Sequence, residues 1–292
     1  MHKTESRNVN TMHIDEESTA GMLRLIQNEN YNAVKAIEDA MPAIERACDE
    51  IYERMSRGGR LIYMGAGTSG RLGVIDAVEC PPTYGVSNEM ISGIIAGGND
   101  RMVSAAEGAE DVGDAGIRDL AEKQPNPNDT ILGISVAGNA AYVADALVYA
   151  HNLGCLTVGL TCNKGSRLDV EPDISIVTDT GAEPITGSTR MKAGSAHKMV
   201  LNMISTCVMI KLGNVYQNLM INVKPTNIKL KKRVISIVCE ILECNEEVAI
   251  ERLKKHNWSI RETVHNERKL MQNEENGEIE RKEECLYDNV SC

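Results

Sequence analysis

The sequence predicts an α/β protein: a three-layer sandwich with a central parallel sheet, preceded by N-terminal helices and followed by a small C-terminal helical bundle. Three observations lead there. Short apolar runs bounded by turn residues recur through the middle of the chain. Segments with apolar residues at helical spacing separate them. The 292 residues, 42% of them hydrophobic, suffice for one large α/β domain with appendages.

From Glu16 to about Ser56, Met22, Leu25, Ile26, Val34, Ile37, Met41, Ile44, Cys48 and Ile51 recur at helical spacing and predict helices leading into the main domain. Arg60 to Met64 is an apolar run ending in Gly65, a buried parallel strand. Similar runs at Met90–Ala96, Thr130–Val136, Cys155–Leu160 and Ile174–Val177 complete the sheet, with helical patterns at Ala140–Asn152 and Met191–Leu212. Lys123–Asn128 and Lys164–Pro172 read as loops from their Pro, Gly, Asn and Asp. Beyond Pro225 two amphipathic helices, Ile228–Leu242 and Asn245–His256, precede a third piece at Ile260–Val264. The domain expectation is thus a helical segment over 1–50, a main domain over 51–214, a helical subdomain over 215–265, and a Glu- and Asn-rich tail over 266–292, a frayed helix or disordered.

Composition excludes several function classes. Lys and Arg number 31 against 42 Asp and Glu, a formal net charge of −11, which argues against nucleic acid or an anionic membrane as partner. The longest apolar stretch, Met199–Ile210, is too short to span a bilayer and contains Asn202, Ser205 and Thr206. The N-terminus shows no apolar signal region. Nine cysteines stand singly, without metal-ligand spacing, which reads as reduced thiols in a cytoplasm with no metal site.

Two segments carry chemistry. Gly65-Ala66-Gly67-Thr68-Ser69-Gly70 matches GxGxxG after a strand and before a helix. The acid that a dinucleotide fold needs about 20 residues on is misplaced: Glu89 precedes the next strand and Asp100 lies well past it. Thr68 and Ser69 at a helix N-terminus suit a phosphate monoester instead, or serve as a plain helix cap; the loop alone leaves both open. Thr186 to Ser195 then places the hydroxyls of Ser188 and Thr189 with Arg190 and Lys192 ahead of an apolar helix. Anion binding is the better reading there, through charge-assisted bonds from the two cations; the alternative is a capped helix with solvated cations.

The strings Gly65 to Gly73, Asp76-Ala77-Val78-Glu79-Cys80-Pro81-Pro82-Thr83-Tyr84, Ile95 to Gly98, Ala106 to Asp111 and Thr186 to Gly194 strongly resemble the N-acetylmuramic acid 6-phosphate etherase family. The likeness runs from Thr4-Glu5-Ser6-Arg7-Asn8 to about Val264. It implies a sugar isomerase (SIS) domain, a homodimer, no cofactor, and hydrolytic removal of D-lactate from N-acetylmuramate 6-phosphate in cell-wall sugar salvage. Glu79 and Glu110 match the family's two functional glutamates: Glu79 as the acid for the lactate oxygen, Glu110 as the second acid/base group. The remaining binding residues implied are Gly67, Thr68, Ser69, Arg71, Ser135, Gly138, Asn139, Ser188, Thr189, Arg190 and Lys192.

The chemistry accounts for two carboxyls. A C3 lactyl ether leaves poorly unless protonated, and opening the sugar to its aldehyde acidifies the C2 proton, so elimination across C2–C3 becomes feasible and water adds back. One group must move the C2 proton and another protonate the departing oxygen. Burial or a like-charged neighbour can keep a carboxyl protonated for the second task. Cys80-Pro81-Pro82, just after Glu79, predicts the end of its helix.

The sequence departs from the family where Ala137-Gly138-Asn139-Ala140-Ala141 replaces the usual Ser-Gly-Arg-Thr-Pro. Two hydroxyls and a cation are absent, at about 1.5–3 kcal/mol for each charge-assisted bond. Compensation by other loops, a different substrate, or lost turnover stay open, so a non-catalytic sugar-phosphate sensor like the related glucokinase regulatory protein and a sugar-phosphate isomerase are the alternatives. His197, behind the second constellation, reads as a polar helix position or a sugar contact.

Overall fold

The computed structural model describes residues 3–104, 108–225 and 227–267; the expected tail falls almost entirely outside them. The chain divides into two compact units, one of residues 1–81 and 87–212, the other of 82–86 and 213 onward.

In the first unit, three 3₁₀ turns, Lys3–Glu5, Val9–Thr11 and Ile14–Glu16, lead into α1 (Thr19–Ser56). Where the sequence suggested several helices there is one of 38 residues, about 57 Å long at 1.5 Å per residue. Ser18 Oγ caps it by accepting from Gly21 N at 3.2 Å. Pro42 sits on the exposed side, where its missing N–H leaves no buried carbonyl stripe unpaired. The opposite side buries Ala33, Ala36, Ile37, Ala40, Ile44, Ala47, Cys48, Ile51 and Met55 at helical spacing.

The sheet comprises β1 (Leu61–Gly65), β2 (Ile91–Ile95), β3 (Thr130–Ile134), β4 (Leu156–Thr161) and β5 (Ile174–Val177), all parallel in the order β2-β1-β3-β4-β5. β1, β3 and β4 are buried along their whole length, as helices on both sheet faces require. Intervening helices are α2 (Gly67–Tyr84), α3 (Gly113–Ala121), α4 (Ala141–Asn152), α5 (Arg167–Val170) and α6 (Lys192–Lys211). On one face Ile62, Met64 and Ile131 meet Leu120, Tyr142, Val143 and Leu147 of α3 and α4. On the other, Tyr63 donates to Asp76 Oδ2 of α2 at 2.8 Å, while Asp76 Oδ1 accepts from Asn202 and Ser205 of α6.

Two expectations are corrected. α2 does not end at Cys80-Pro81-Pro82 but runs through both prolines to Tyr84. Proline's fixed φ is itself helical, so two of them in a last turn cost hydrogen bonds without breaking the turn. The expected loop over 164–172 contains the single turn α5, whose first N–H, on Arg167, donates to Asn139 Oδ1 at 3.0 Å.

The second unit pairs a hairpin, β6 (Val215–Tyr216) with β7 (Leu219–Met220), and packs α7 (Ile228–Leu242), α8 (Glu246–Lys255) and α9 (residues 260–267). Val234, Val238, Ala249, Leu253 and Ile260 form its core. Asn227 and Asn245 cap α7 and α8 by accepting from Leu230 N and Val248 N.

Candidate active site

The strand order reverses direction between β1 and β3: the chain leaves β1 toward β2 on one side, and β3 leads on to β4 and β5 on the other. Loops leaving the carboxyl ends of those two strands diverge and open a crevice, the usual ligand position in an open parallel sheet. A pocket of about 270 Å³ lies there. The turn after β1 contributes Gly67, Thr68 and Ser69, and the segment after β3 contributes Ser135, Val136, Ala137 and Ala140. Gly187, Thr189 and Gly194 close one side, and the carboxylates Glu110 and Glu5 complete the wall.

The β1–α2 turn depends on close backbone approach. A Cβ on Gly70 would lie 2.5 Å from Gly65 O, so only glycine lets the first turn of α2 sit against the strand end. Gly138 is constrained twice over: its φ is +79°, and a Cβ would lie 2.1 Å from Ser166 Oγ. Its N–H donates to Ser135 Oγ at 3.1 Å and its carbonyl accepts from Leu168 N at 3.0 Å, which locks the β3 loop onto α5.

Helix ends supply positive potential. α2 begins in the pocket wall, and α4 begins at Ala140–Ala141 without a side-chain cap, so first-turn N–H groups remain for a ligand. The start of α6 is already used. Glu183, fully buried, accepts from Lys192 N at 3.2 Å and Ala193 N at 3.0 Å, and burial outweighs those bonds to push its carboxyl above the usual value.

The residues singled out from sequence separate into four groups. Glu110, Gly67, Thr68, Ser69, Ser135 and Thr189 line the pocket. Arg190 is exposed in an adjoining depression of about 300 Å³ with Lys198, Leu72 and Met199; Thr68 and Gly194 border both hollows. Ser188 and Gly138 shape turns beside the pocket, through Met191 N donating to Ser188 O and through the bonds of Gly138 described above.

The rest lie elsewhere. Lys192 is 1% exposed and its Nζ donates to Glu29 Oε2 of α1. Burial alone would raise the Glu29 carboxyl; the bonds from Lys192 and Asn10 outweigh it and hold the group below its usual value. Arg71 donates to the carbonyls of Met102 and Ser104, 3.1 and 2.7 Å away, and so fastens the segment after β2. Asn139 is spent on capping α5. Glu79 is exposed near the far end of α2, eleven residues beyond Thr68 and so about 16 Å along the axis. His197 is fully buried with Nε2 3.4 Å from Cys162 Sγ, and burial drives its pKa down to about 4, so it is neutral.

Glu5 was not singled out as a site residue. It lies some sixty positions from the glycine loop, and no local pattern signals its contribution. The N-terminal turns bring it in. Thr4, fully buried, accepts at Oγ from Asn163 Nδ2 at 3.0 Å; Asn8 Nδ2 donates to Ala182 O and Thr11 Oγ to Pro184 O, both at 2.8 Å. Among the described residues no cluster of three or more His, Cys, Asp or Glu could hold a metal.

A doubly wound parallel sheet with its pocket at the β1/β3 reversal defines the class of open α/β proteins that bind small ligands at the carboxyl ends of their strands. The model of the glucokinase regulatory protein N-terminal SIS domain matches residues 43–151. The fold is also that of a phosphoheptose isomerase from Francisella tularensis, with a TM-score of 0.50 and 17% identity over 66% of this chain and 98% of that one. Far higher identity links the chain to an N-acetylmuramic acid 6-phosphate etherase of Clostridium beijerinckii, 51% over 88% of this chain and 85% of the relative. The etherase of Bacillus subtilis is 48% identical over 89% and 86%. The chain belongs to the N-acetylmuramic acid 6-phosphate etherase family.

Proposed function

We propose that the protein is a carbon–oxygen lyase that cleaves the lactyl ether of N-acetylmuramate 6-phosphate, giving N-acetylglucosamine 6-phosphate and D-lactate. The observation that carries this is the pocket at the β1/β3 reversal, lined by hydroxyls, helix starts and Glu110, in a chain of this family. Thr68, Ser69 and the starts of α2 and α4 receive the phosphate. Glu110 exchanges the C2 proton of the open-chain sugar, the lactate oxygen leaves from C3 with a proton, and water then adds at C3.

Glu79 is the acid that protonates that oxygen, and it serves the pocket of a second copy. Its exposure, its distance from Thr68, and the exposed Ile75 and Val78 beside it support a homodimer built over this part of α2. The working site is in the cytoplasm, in breakdown of cell-wall amino sugars. The reduced, scattered cysteines and the acidic overall charge favour that setting over nucleic acid or membrane, and among the described residues no helix is long and apolar enough to cross a membrane. Incubation with N-acetylmuramate 6-phosphate and enzymatic measurement of released D-lactate tests the reading; no lactate at micromolar protein refutes it.

A further inference from the structure

Elimination across C2–C3 requires the open-chain aldehyde, and a pyranose opens only if its anomeric hydroxyl loses a proton and its ring oxygen gains one. Glu110 and Glu79 are occupied at C2 and at the lactate oxygen, which leaves that exchange without an agent. The pocket holds one more titratable group. Glu5 enters from the N-terminal turns and lies over the Gly187 turn, its Oε2 3.3 Å from where a Cβ of Gly187 would stand. Its neighbour Thr4 is fully buried and bonded to Asn163, which also donates to Val136 O in the pocket wall at 2.9 Å. The Glu5 backbone is thereby fixed to the same loop that lines the pocket, while its carboxylate stays solvent-accessible.

We infer that Glu5 is the ring-opening acid/base of the site. One carboxylate oxygen takes the proton of the anomeric hydroxyl; those O–H electrons form the C1 carbonyl as the C1–O5 bond breaks. The pair from that bond goes to O5, which receives the proton from Glu5, so the carboxylate is regenerated and no co-reactant is used. This rests on the proposed sugar-phosphate reading but makes a claim that does not need the ether. An enzyme that opens the ring must also speed interconversion of the α and β anomers of the product, N-acetylglucosamine 6-phosphate.

The test follows that interconversion by NMR exchange spectroscopy, with D-lactate release measured in parallel. Wild-type protein should accelerate anomer exchange. Glu5→Gln should lose at least 100-fold of that acceleration and, in kcat, a comparable factor of lactate release. Glu5→Asp should recover part of both, and unchanged melting temperatures exclude loss of fold. Anomer exchange at the wild-type rate in Glu5→Gln overturns the assignment. So does a raised KM with unchanged kcat, the mark of a group that only holds substrate. No acceleration by wild-type protein overturns it as well. Wild-type protein that speeds anomer exchange but releases no lactate refutes the etherase reading and leaves the role of Glu5 standing.

Discussion

Lys192→Met separates a structural role for this lysine from a substrate-binding one. In the fold its ammonium is buried against Glu29 of α1, and the pair ties the long N-terminal helix to the first residue of α6. Removing the cation leaves Glu29, 3% exposed, with neutral amide donors alone, among them Asn10 Nδ2 at 2.9 Å, Asn32 Nδ2 at 3.2 Å and the side chain of Asn8. An uncompensated buried charge of this kind costs about 3–5 kcal/mol. For a unit of this size that is a fall in Tm of roughly 6–20 °C. Removing both charges, as in Glu29→Met with Lys192→Met, should cost far less, because no ion is left to desolvate.

The pH dependence carries a definite sign. Glu29 has a lowered pKa in the folded protein, so the pair stabilises above the ordinary carboxylate range near 4.5 and that contribution is lost as pH falls through the lower folded value. In Lys192→Met the buried carboxyl instead resists ionisation, so the deficit against wild type should shrink below about pH 5. Urea unfolding followed by circular dichroism at pH 7 and pH 4.5, on wild type, both singles and the double, measures all of this. A single variant within 1 kcal/mol of wild type, with a raised KM for the sugar phosphate, would refute the reasoning and return Lys192 to the binding site.

Three further outcomes are expected. Glu79→Gln should lose D-lactate release by a factor of about 10²–10⁴ while C2 proton exchange into deuterated water, which Glu110 performs, persists; equal loss of both refutes the division of labour. Gly138→Ala should destabilise by about 1–3 kcal/mol, through its φ of +79° and the overlap with Ser166 Oγ, and a thermal melt coinciding with wild type counts against the locked β3 loop. His197, held neutral to about pH 4, makes the native state bind fewer protons than the unfolded chain between roughly pH 6.5 and 4, so stability falls by up to about 3 kcal/mol across that window; His197→Gln should flatten the difference curve, and an unchanged slope refutes it.

The sheet was legible because its strands are buried on both faces and read as unbroken apolar runs, Leu61-Ile62-Tyr63-Met64 being the clearest. The C-terminal helices were legible through the amphipathic spacing of their apolar residues, Val234, Ile237, Val238 and Ile241 in α7 being the clearest. The helix end expected at Cys80-Pro81-Pro82 was misjudged because φ near −65° is as much a helical value as a turn value, and only the surroundings of the two prolines decide between them. At the site, the GxGxxG turn could be read locally, and Glu110 only through the resemblance of the string around it to a family motif. Lys192 could not: a lysine beside Arg190 looks like an anion ligand until Glu29, 163 positions away in sequence, is found against it. Glu5 and Glu183 escaped for the same reason, since each acquires its role only through a contact distant in the chain.

That redistribution of charge bears on how an acidic protein can hold a dianion. Among the described residues the pocket lining includes two carboxylates and no lysine or arginine, so those side chains supply no Coulomb attraction for phosphate. What remains is directional: hydroxyls of Thr68, Ser69, Ser135 and Thr189, and the uncapped start of α4. Arg190 and Lys198, one hollow over and sharing Thr68 and Gly194 with the pocket, add a positive field without direct contact. Such a site lines one small volume with carboxylates and hydroxyls together and keeps the cations of the neighbouring hollow out of it, so a carboxyl can exchange protons with the sugar without being neutralised by a neighbouring cation. The missing arginine of the Ala137–Ala141 loop then weakens binding more than turnover. Restoring it as Asn139→Arg should lower KM for the sugar phosphate several-fold and leave kcat within a factor of about three, and the salt dependence of KM should steepen with it. A fall in kcat with no gain in KM would mean that the cap Asn139 gives to Arg167 N, and through it the seating of α5, matters more to the site than the charge does.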